Sequence, residues 1–236
     1  MPLPLYLAMT AAEIENFSAF PPQIAWMACH FSPYGTGLSN CPDQLPPGSM
    51  LILNDRTPVC GHDPQQVADQ LRQLAGMLQC SRVLLDLQRP GFAEAQLIAA
   101  AAVQALPCPV AVSPLYAGDL SCPVFLPPLP LLQPPQAYLA PWKDREIWLD
   151  LSPAQATFRV TEAGCEKTPL ETDERFLHMD DRLCCRYGVE PQENGICFHV
   201  RQDTEALAKQ LEGTSVTCLV GLYQELGCVW DQNTAH

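Results

Sequence analysis

Eight short apolar runs of β-forming residues, several followed by helical patterns, predict a small, degenerate (β/α)8 TIM-like barrel. Most of these runs end abruptly in polar residues, as a buried parallel strand does where it leaves the core. With 236 residues the chain has near-minimal length for such a barrel. No full helix fits after the second or the fifth run. An open doubly wound α/β sheet is the alternative fold, but no GxGxxG or P-loop pattern follows the first run to support it.

Strand and helix signals alternate along most of the chain. A capping box at Thr10–Glu13 predicts a helix over Ala11–Phe17, and Asp63 followed by Pro64 predicts the start of another helix. The predicted strands are Leu3–Met9, Gln23–Phe31, Met50–Leu53, Arg82–Gln88, Pro109–Leu115, Pro123–Leu126, Glu146–Leu151 and Val216–Tyr223. The other predicted helices cover Phe92–Ala105, a short segment at Gln136–Ala140 and a segment capped by Asp203 or Thr204; the helix after Asp63 buries Val67, Leu71, Leu74 and Leu78.

The regular rhythm changes after the seventh predicted strand. Ala156–Thr161 and Arg182–Glu190 alternate apolar and polar residues, and a turn sequence precedes Ile196–Val200. This pattern predicts a β-hairpin excursion over about 156–201, between the seventh strand and the helix that follows it. We therefore expect a single barrel-like domain over 1–230 with this insertion, and a solvated tail over 231–236.

Charge and composition exclude several classes of partner. The net charge of −13 repels phosphate backbones and anionic lipid, so neither nucleic acid nor membrane is expected as a partner. The first fifteen residues have no basic region of the kind that begins a signal peptide, and the longest apolar stretch, Leu97–Leu106, is too short to span a bilayer. We therefore expect a cytoplasmic protein. The sequence does not indicate an oligomeric state.

The cysteine pattern favours free thiols over disulfides or a metal site. Twelve cysteines are present, but no CxxC pair occurs and none has a partner at zinc-site spacing. Most lie in apolar runs, where cysteine acts as a small hydrophobic residue. A reducing cytoplasm keeps thiols free. We expect twelve free cysteines, no structural metal and no cofactor.

Polar residues at the strand exits are the candidate functional residues, because barrel enzymes use the carboxyl ends of their strands. Four acidic side chains at these exits form a predicted ring: Asp55, Asp86, Asp150 and Glu225. Period-two alternation places Trp148 with Asp150, and Tyr223 with Glu225, on faces that line the mouth if they point inward. Such a mouth suits a sugar or another small polar ligand. The candidate binding residues are Gln88, Asp55, His30, Tyr34, Tyr116, Trp148 and Tyr223.

Each candidate has a structural alternative. Carboxylates at strand ends are also expected simply because strand ends meet water. The tyrosines in loops can pack against neighbouring residues instead of a ligand. His30, on a strand that otherwise reads as core, fits a hydrogen-bonded structural histidine as well as a functional one.

Asp86-x-Gln88 ends the predicted fourth strand, and this position resembles the motif site of family-18 glycoside hydrolases, the chitinase-like barrels with a DxxDxDxE motif. The resemblance implies that Asp86 positions the acetamido group of a substrate. It also implies that Gln88 occupies the position of the catalytic glutamic acid. The upstream aspartates of the motif are absent, with Val83 and Leu84 in their neighbourhood. An amide cannot give a proton to a glycosidic oxygen, so the glutamine at this position removes the catalytic acid that the family uses.

Three hypotheses follow for the function. The leading one is a glycoside-hydrolase-like barrel that binds carbohydrate and is catalytically degenerate. The second is an active glycosidase whose acid is Glu225 or Asp150. The third is a structural or regulatory protein without an enzymatic role, in which the proline-rich loops form the contact surface.

Overall fold

The computed structural model describes residues 2–15, 23–169 and 176–226. In chain order its elements are β1 (Leu5–Met9), α1 (Ala11–Glu15), β2 (Ile24–Phe31), β3 (Leu38–Ser39), β4 (Met50–Asn54), α2 (Pro64–Met77), β5 (Arg82–Asp86), α3 (Ala93–Ala105), β6 (Val110–Val112), α4 (Pro114–Ala117), β7 (Val124–Leu126), α5 (Pro135–Leu139), β8 (Ile147–Asp150), β9 (Gln155–Thr161), β10 (Gly164–Thr168), β11 (His178–Asp180), β12 (Cys185–Gln192), β13 (Gly195–Gln202), α6 (Thr204–Leu211) and β14 (Val216–Leu222). A 3₁₀ turn at Ala140–Trp142 follows α5, and a helical turn at 223–226 follows β14.

Eight parallel strands close into a barrel. Around the ring they follow the order β1-β14-β8-β7-β6-β5-β4-β2, and β1 also pairs with β2 to complete it. The predicted (β/α)8 barrel is therefore confirmed, and closure of the ring excludes the open doubly wound sheet. The additional strand β3 lies outside the ring, antiparallel to the end of β2.

Four predicted strands are too long at their carboxyl ends, the seventh by one residue because it ends at Asp150. The fifth predicted strand ends at Val112, because Pro114 begins the four-residue helix α4, for which its fixed φ is already suitable. The fourth ends at Asp86 instead of Gln88, and the eighth at Leu222 instead of Tyr223. As predicted, no helix separates β2 from β4 among the described residues.

The interior of the barrel is filled by side chains that alternate along the strands. Inward-facing residues of parallel barrel strands stack in layers, so each strand contributes every second residue. The buried interior cluster consists of Tyr6, Ala8, Ala25, Met50, Ile52, Leu84, Ala111, Phe125, Trp148, Cys218 and Val220, with Met27 packed against it. This alternation determines which polar residue faces inward at the carboxyl end of each strand.

Helix α2 shows how the outer layer is specified. Asp63 adopts an extended backbone and its carboxylate accepts a hydrogen bond of 2.7 Å from the backbone N–H of Gln66, as the predicted N-cap requires. Val67 and Leu71 are buried as predicted, but the next buried position is Ala75, while Leu74 is only half-buried. Among the residues that the structure describes, no helix has the length and apolar character needed to cross a membrane.

The predicted excursion after the seventh strand is present and is larger than a hairpin. Between β8 and α6 the chain forms a five-stranded antiparallel sheet in the order β10-β9-β13-β12-β11. Within the described residues the chain divides into two compact units, one comprising 4–15, 23–127, 144–150 and 215–226 and the other 2–3, 128–143, 151–169 and 176–214. The first unit contains the barrel strands, and the second contains the antiparallel sheet. The predicted tail at 231–236 and the end of the first helix at Phe17 lie outside the described residues.

Candidate functional site

A row of three polar residues crosses the carboxyl ends of neighbouring barrel strands. His30 on β2 pairs in register with Asn54 on β4, and Asn54 pairs with Asp86 on β5. Ile52 and Leu84, two residues earlier, are interior residues, so Asn54 and Asp86 continue the inward face of the barrel. Asn54 was not among the predicted site residues, although the alternation of Met50, Ile52 and Asn54 carries the signal for it.

Asp86 and Gln88 form a direct pair. The side-chain amide Nε2 of Gln88 donates a hydrogen bond of 2.5 Å to Oδ1 of Asp86. Burial raises the pKa of Asp86, the hydrogen bond from Gln88 lowers it and the charge of Asp55 raises it, with a net upward shift. The two side chains are therefore in direct contact at the end of the fourth barrel strand.

Asp55 accepts hydrogen bonds from the backbone next to this pair. Its side chain is buried, and Oδ2 accepts hydrogen bonds from the backbone N–H groups of Gln88 at 2.9 Å and Arg89 at 2.6 Å. A carboxylate that accepts two backbone N–H groups holds the segment in one conformation. Asp55 thus fixes the backbone that carries Gln88.

Asp150 has the most strongly shifted carboxyl group of the predicted ring. Burial raises its pKa to about 7, and the charges of Asp86 and Glu225 contribute to the shift. The charges of Asp86 and Glu225 therefore act on Asp150, and the charge of Asp55 acts on Asp86. Near neutral pH such a carboxyl group is present in both its protonated and its ionised form.

Glu225 and Tyr223 lie on a helical turn after β14 instead of on the strand itself. The interior residues of β14 are Cys218 and Val220, and the strand ends at Leu222. Residues 223–226 are helical, so the period-two alternation that placed Tyr223 and Glu225 on one inward strand face does not apply. The prediction that both residues continue one face of the strand was therefore wrong. Glu225 is exposed and Tyr223 half-buried, and the charge of Glu225 still acts on Asp150.

His30 is held by three neighbours. Its Nδ1 lies 2.8 Å from the backbone carbonyl oxygen of Phe31 and 3.3 Å from the hydroxyl of Thr57, and its Nε2 lies 3.0 Å from the side-chain amide nitrogen of Asn40. The carbonyl of Phe31 can only accept, so Nδ1 carries the proton, and Nε2 accepts from Asn40.

Two of the predicted aromatic binding residues are buried and contact other parts of the protein. Trp148 is only 1% exposed and lies in the barrel interior, where the guanidinium of Arg82 is 5.7 Å from its ring centroid and 5.3 Å from that of Tyr6. Tyr116 is 5% exposed, and its hydroxyl donates to the backbone carbonyl of Arg89. Neither ring is therefore exposed for the predicted contact with a ligand. Aromatic side chains bury a large apolar area, so they often pack in the core even where their position near a strand end suggests a binding role.

Tyr34 has the opposite environment. It follows β2 and is 88% exposed, so its ring is accessible to a ligand. No group of three or more His, Cys, Asp or Glu side chains within the described ranges is arranged to hold a metal ion. The site consists of hydrogen-bonding groups: carboxylates, the side-chain amides of Asn54 and Gln88, the imidazole of His30, and the carboxyl group of Asp150, which gains or loses its proton near neutral pH.

Comparison with known proteins adds information about the fold. No protein-family model matches the chain, and no curated protein matches it. Among solved structures it is similar to the spore cortex-lytic enzyme SleL of Bacillus megaterium QM B1551, with a TM-score of 0.51 and 9% sequence identity. The similarity covers 97% of this chain and 73% of that chain. At this identity the similarity concerns the fold alone.

Proposed function

We propose that this protein is a glycoside-hydrolase-like barrel that binds carbohydrate at the carboxyl ends of its strands and has lost the acid of the family-18 mechanism. The observation that carries the proposal is the hydrogen bond from Gln88 to Asp86 at the end of the fourth barrel strand. In the family that this position resembles, the two residues there are an aspartic acid and the catalytic glutamic acid.

The chemistry of Gln88 supports loss of hydrolysis by that route. Cleavage of a glycosidic bond needs a carboxylic acid that protonates the leaving oxygen. The amide of Gln88 has no proton that it can transfer, and its Nε2 already donates to Asp86. Because Asp55 fixes the backbone of Gln88, the amide is held beside Asp86 in the orientation observed.

The polar groups of the site support binding of a hydroxyl-rich ligand. Sugar hydroxyls both donate and accept hydrogen bonds, and sugar rings stack on aromatic faces. Asp86 and Glu225 offer acceptors, the amide of Gln88 offers a donor, and Tyr34 offers an exposed ring. The barrel shared with SleL, whose name describes a cortex-lytic enzyme, is consistent with such a ligand.

Oligosaccharide titration tests the proposal. Chitin oligosaccharides titrated into the wild-type protein in a calorimeter should release or absorb heat with saturation, while cellulose oligosaccharides of equal length, which lack acetamido groups, should bind more weakly. The same protein should not cleave an aryl N-acetylglucosaminide. Absence of binding to all of these sugars would remove the proposal and favour the structural or regulatory alternative.

A second candidate function is favoured by one observation, the pKa of about 7 at Asp150. A general acid works best when its pKa is close to the operating pH, and Asp86 and Glu225 are ionisable partners in the same cluster. In this alternative the protein is an active glycosidase with Asp150 as acid. Cleavage of an aryl glycoside by the wild type, which falls as the pH rises above about 7 and is lost in Asp150→Asn, would select it over the degenerate barrel.

A further inference from the structure

Two cysteines at the end of the second barrel strand lie side by side. The Sγ atoms of Cys29, on β2, and Cys41, just after β3, are 3.6 Å apart. The antiparallel pairing of β3 with the end of β2 brings them together, because His30 pairs with Ser39 and Phe31 with Leu38. Their closeness is thus a product of the β2–β3 hairpin.

The two thiols have unequal environments. Cys29 is 0% exposed, whereas Cys41 is exposed. The hydrogen bond with Cys29 lowers the pKa of the Cys41 thiol, against the opposing effect of burial, and the same interaction together with burial raises the pKa of Cys29. Cys41 is therefore the accessible sulfur that more readily becomes a thiolate, and Cys29 is the protonated neighbour behind it.

Other neighbouring cysteines lack this asymmetry. Burial raises the pKa of Cys80 to about 11 and also raises that of Cys108, whose charge acts on Cys80. Burial likewise raises the pKa of Cys184 to about 11 and raises that of its neighbour Cys185. Thiolate character and access decide which cysteine reacts with peroxide first, so these pairs are expected to react more slowly than Cys41.

We propose that Cys29 and Cys41 form an oxidisable pair that closes to an intramolecular disulfide when the protein meets hydrogen peroxide. The Cys41 thiolate attacks one oxygen of the peroxide and breaks the O–O bond, which gives a sulfenic acid at Cys41 and, after protonation, one water. The thiol sulfur of Cys29 then attacks the Cys41 sulfur, the S–O bond breaks and a second water leaves. Two thiols lose two electrons and two protons in total, and the peroxide is reduced to water.

The disulfide would act on the segment that holds His30. Asn40, next to Cys41, places its side-chain amide on Nε2 of His30, and its backbone carbonyl accepts a hydrogen bond of 2.9 Å from the indole of Trp26. A covalent bond from Cys41 to β2 fixes this segment in the position that supports His30. The inference does not depend on the proposed carbohydrate binding, since its readout is the state of the two sulfurs.

Peptide mapping tests the inference directly. The first arginine or lysine of the sequence is Arg56, so the tryptic fragment 1–56 contains Cys29 and Cys41 and no other cysteine. Reduced, folded protein is treated with a small excess of hydrogen peroxide, denatured, alkylated and digested. We expect fragment 1–56 to be lighter by two hydrogen atoms and to carry no alkyl group, with the total thiol count two below the twelve cysteines of the sequence.

Three variants make the result decisive. Cys41→Ser should retain all of its remaining thiols under the same treatment, while Cys60→Ser, which removes an exposed cysteine elsewhere, should still lose two. Cys29→Ser should leave a sulfenic acid on Cys41 that dimedone traps. Because Cys29 is buried, Cys29→Ser is used only if this variant folds. If it does not fold, the comparison of Cys41→Ser with Cys60→Ser is sufficient to test the inference. Full alkylation of fragment 1–56 after peroxide, or equal thiol loss in Cys41→Ser, would overturn the inference.

Discussion

The side-chain amide of Gln88 donates a hydrogen bond of 2.5 Å to the carboxylate of Asp86 at the end of the fourth barrel strand. The backbone of Gln88 is fixed as well, since the buried carboxylate of Asp55 accepts a hydrogen bond from its N–H group. A carboxylate and an amide at this distance can bind hydroxyl and acetamido groups but cannot provide a proton. The pair therefore supports carbohydrate binding without hydrolysis, as proposed.

Replacement of the amide by a carboxyl group should change the ionisation of the pair. In Gln88→Glu two carboxyl groups lie within hydrogen-bond reach, and repulsion between like charges should raise the pKa of one of them by about one unit or more. Carbon-detected NMR titration of the side-chain carboxyl groups measures this shift. Gln65→Glu, at an exposed position of α2, is the matched control and should titrate as an ordinary glutamate. Two ordinary titrations in Gln88→Glu would show that the side chains separate in solution.

The raised pKa of Asp150 predicts a specific pH dependence of stability. Between its ordinary value of 3.8 and about 7 the folded protein holds a proton that the unfolded chain has released, so the contribution of this group falls as the pH rises through that window. Asp150→Asn removes the cost of ionising the group. At pH 8 the variant should be more stable than the wild type by roughly 1–3 kcal/mol, a range reduced for partial solvent screening.

Urea unfolding at several pH values measures this difference. It should shrink toward zero below about pH 4, where Asp150 is protonated in both states. Asp43→Asn, at an exposed position, should follow the wild type throughout. A constant difference between Asp150→Asn and the wild type across the whole range would contradict the assignment of the raised pKa to Asp150.

The fold was predictable from sequence because its signals are local. Buried parallel strands are continuous apolar runs, and the N-cap at Asp63 is visible as a residue pattern. The register of His30 within the barrel was harder to predict. A register shift between Trp26 and Cys29 moves His30 level with Asn54, whereas uninterrupted alternation from Ala25 would have continued through Cys29. A bulge of this kind depends on strand pairing, which a single sequence does not display.

The candidate site was predictable only in part, for a related reason. Strand exits were identified, but which exit residues face a ligand depends on where each strand ends. Trp148 comes two residues before the end of β8 and is therefore in the interior, while the turn after Leu222 changes the orientation of Tyr223 and Glu225. The role of Asp55 was missed because its partners, the backbone N–H groups of Gln88 and Arg89, lie more than thirty residues away.

Asp55 should be the most important carboxylate of the cluster for stability. Asp55→Ala leaves the backbone N–H groups of Gln88 and Arg89 without their acceptor. Because a charge-assisted hydrogen bond contributes about 1.5–3 kcal/mol, we expect a loss in that range. Asp63→Ala, which removes the single cap bond of α2, should cost about 1 kcal/mol. Chemical denaturation of both variants measures the two losses. Equal losses would show that Asp55 does not hold the Gln88 segment.

Arg82 should stabilise the amino end of the barrel interior through its planar group. Its Nη1 donates a hydrogen bond of 2.6 Å to the hydroxyl of Tyr6, and the guanidinium lies over the rings of Tyr6 and Trp148. Arg82→Lys keeps the charge but loses the flat stacking surface, and should cost about 1–2 kcal/mol. Arg72→Lys, in an exposed ion pair with Asp69, should change the free energy of unfolding by less than about 0.5 kcal/mol. Thermal unfolding followed by circular dichroism compares the two variants, and a silent Arg82→Lys would show that the stacking contributes nothing.

The most direct test of carbohydrate binding compares one variant with the wild type in a single calorimetric titration. Chitin oligosaccharide is titrated into the wild-type protein, Asp86→Ala and the exposed-site control Asp43→Ala at neutral pH. If Asp86 binds the sugar, its removal should weaken binding at least about tenfold, which corresponds to about 1.4 kcal/mol, and Asp43→Ala should bind as the wild type does. Equal affinities for all three proteins, or no binding by the wild type, would contradict the account.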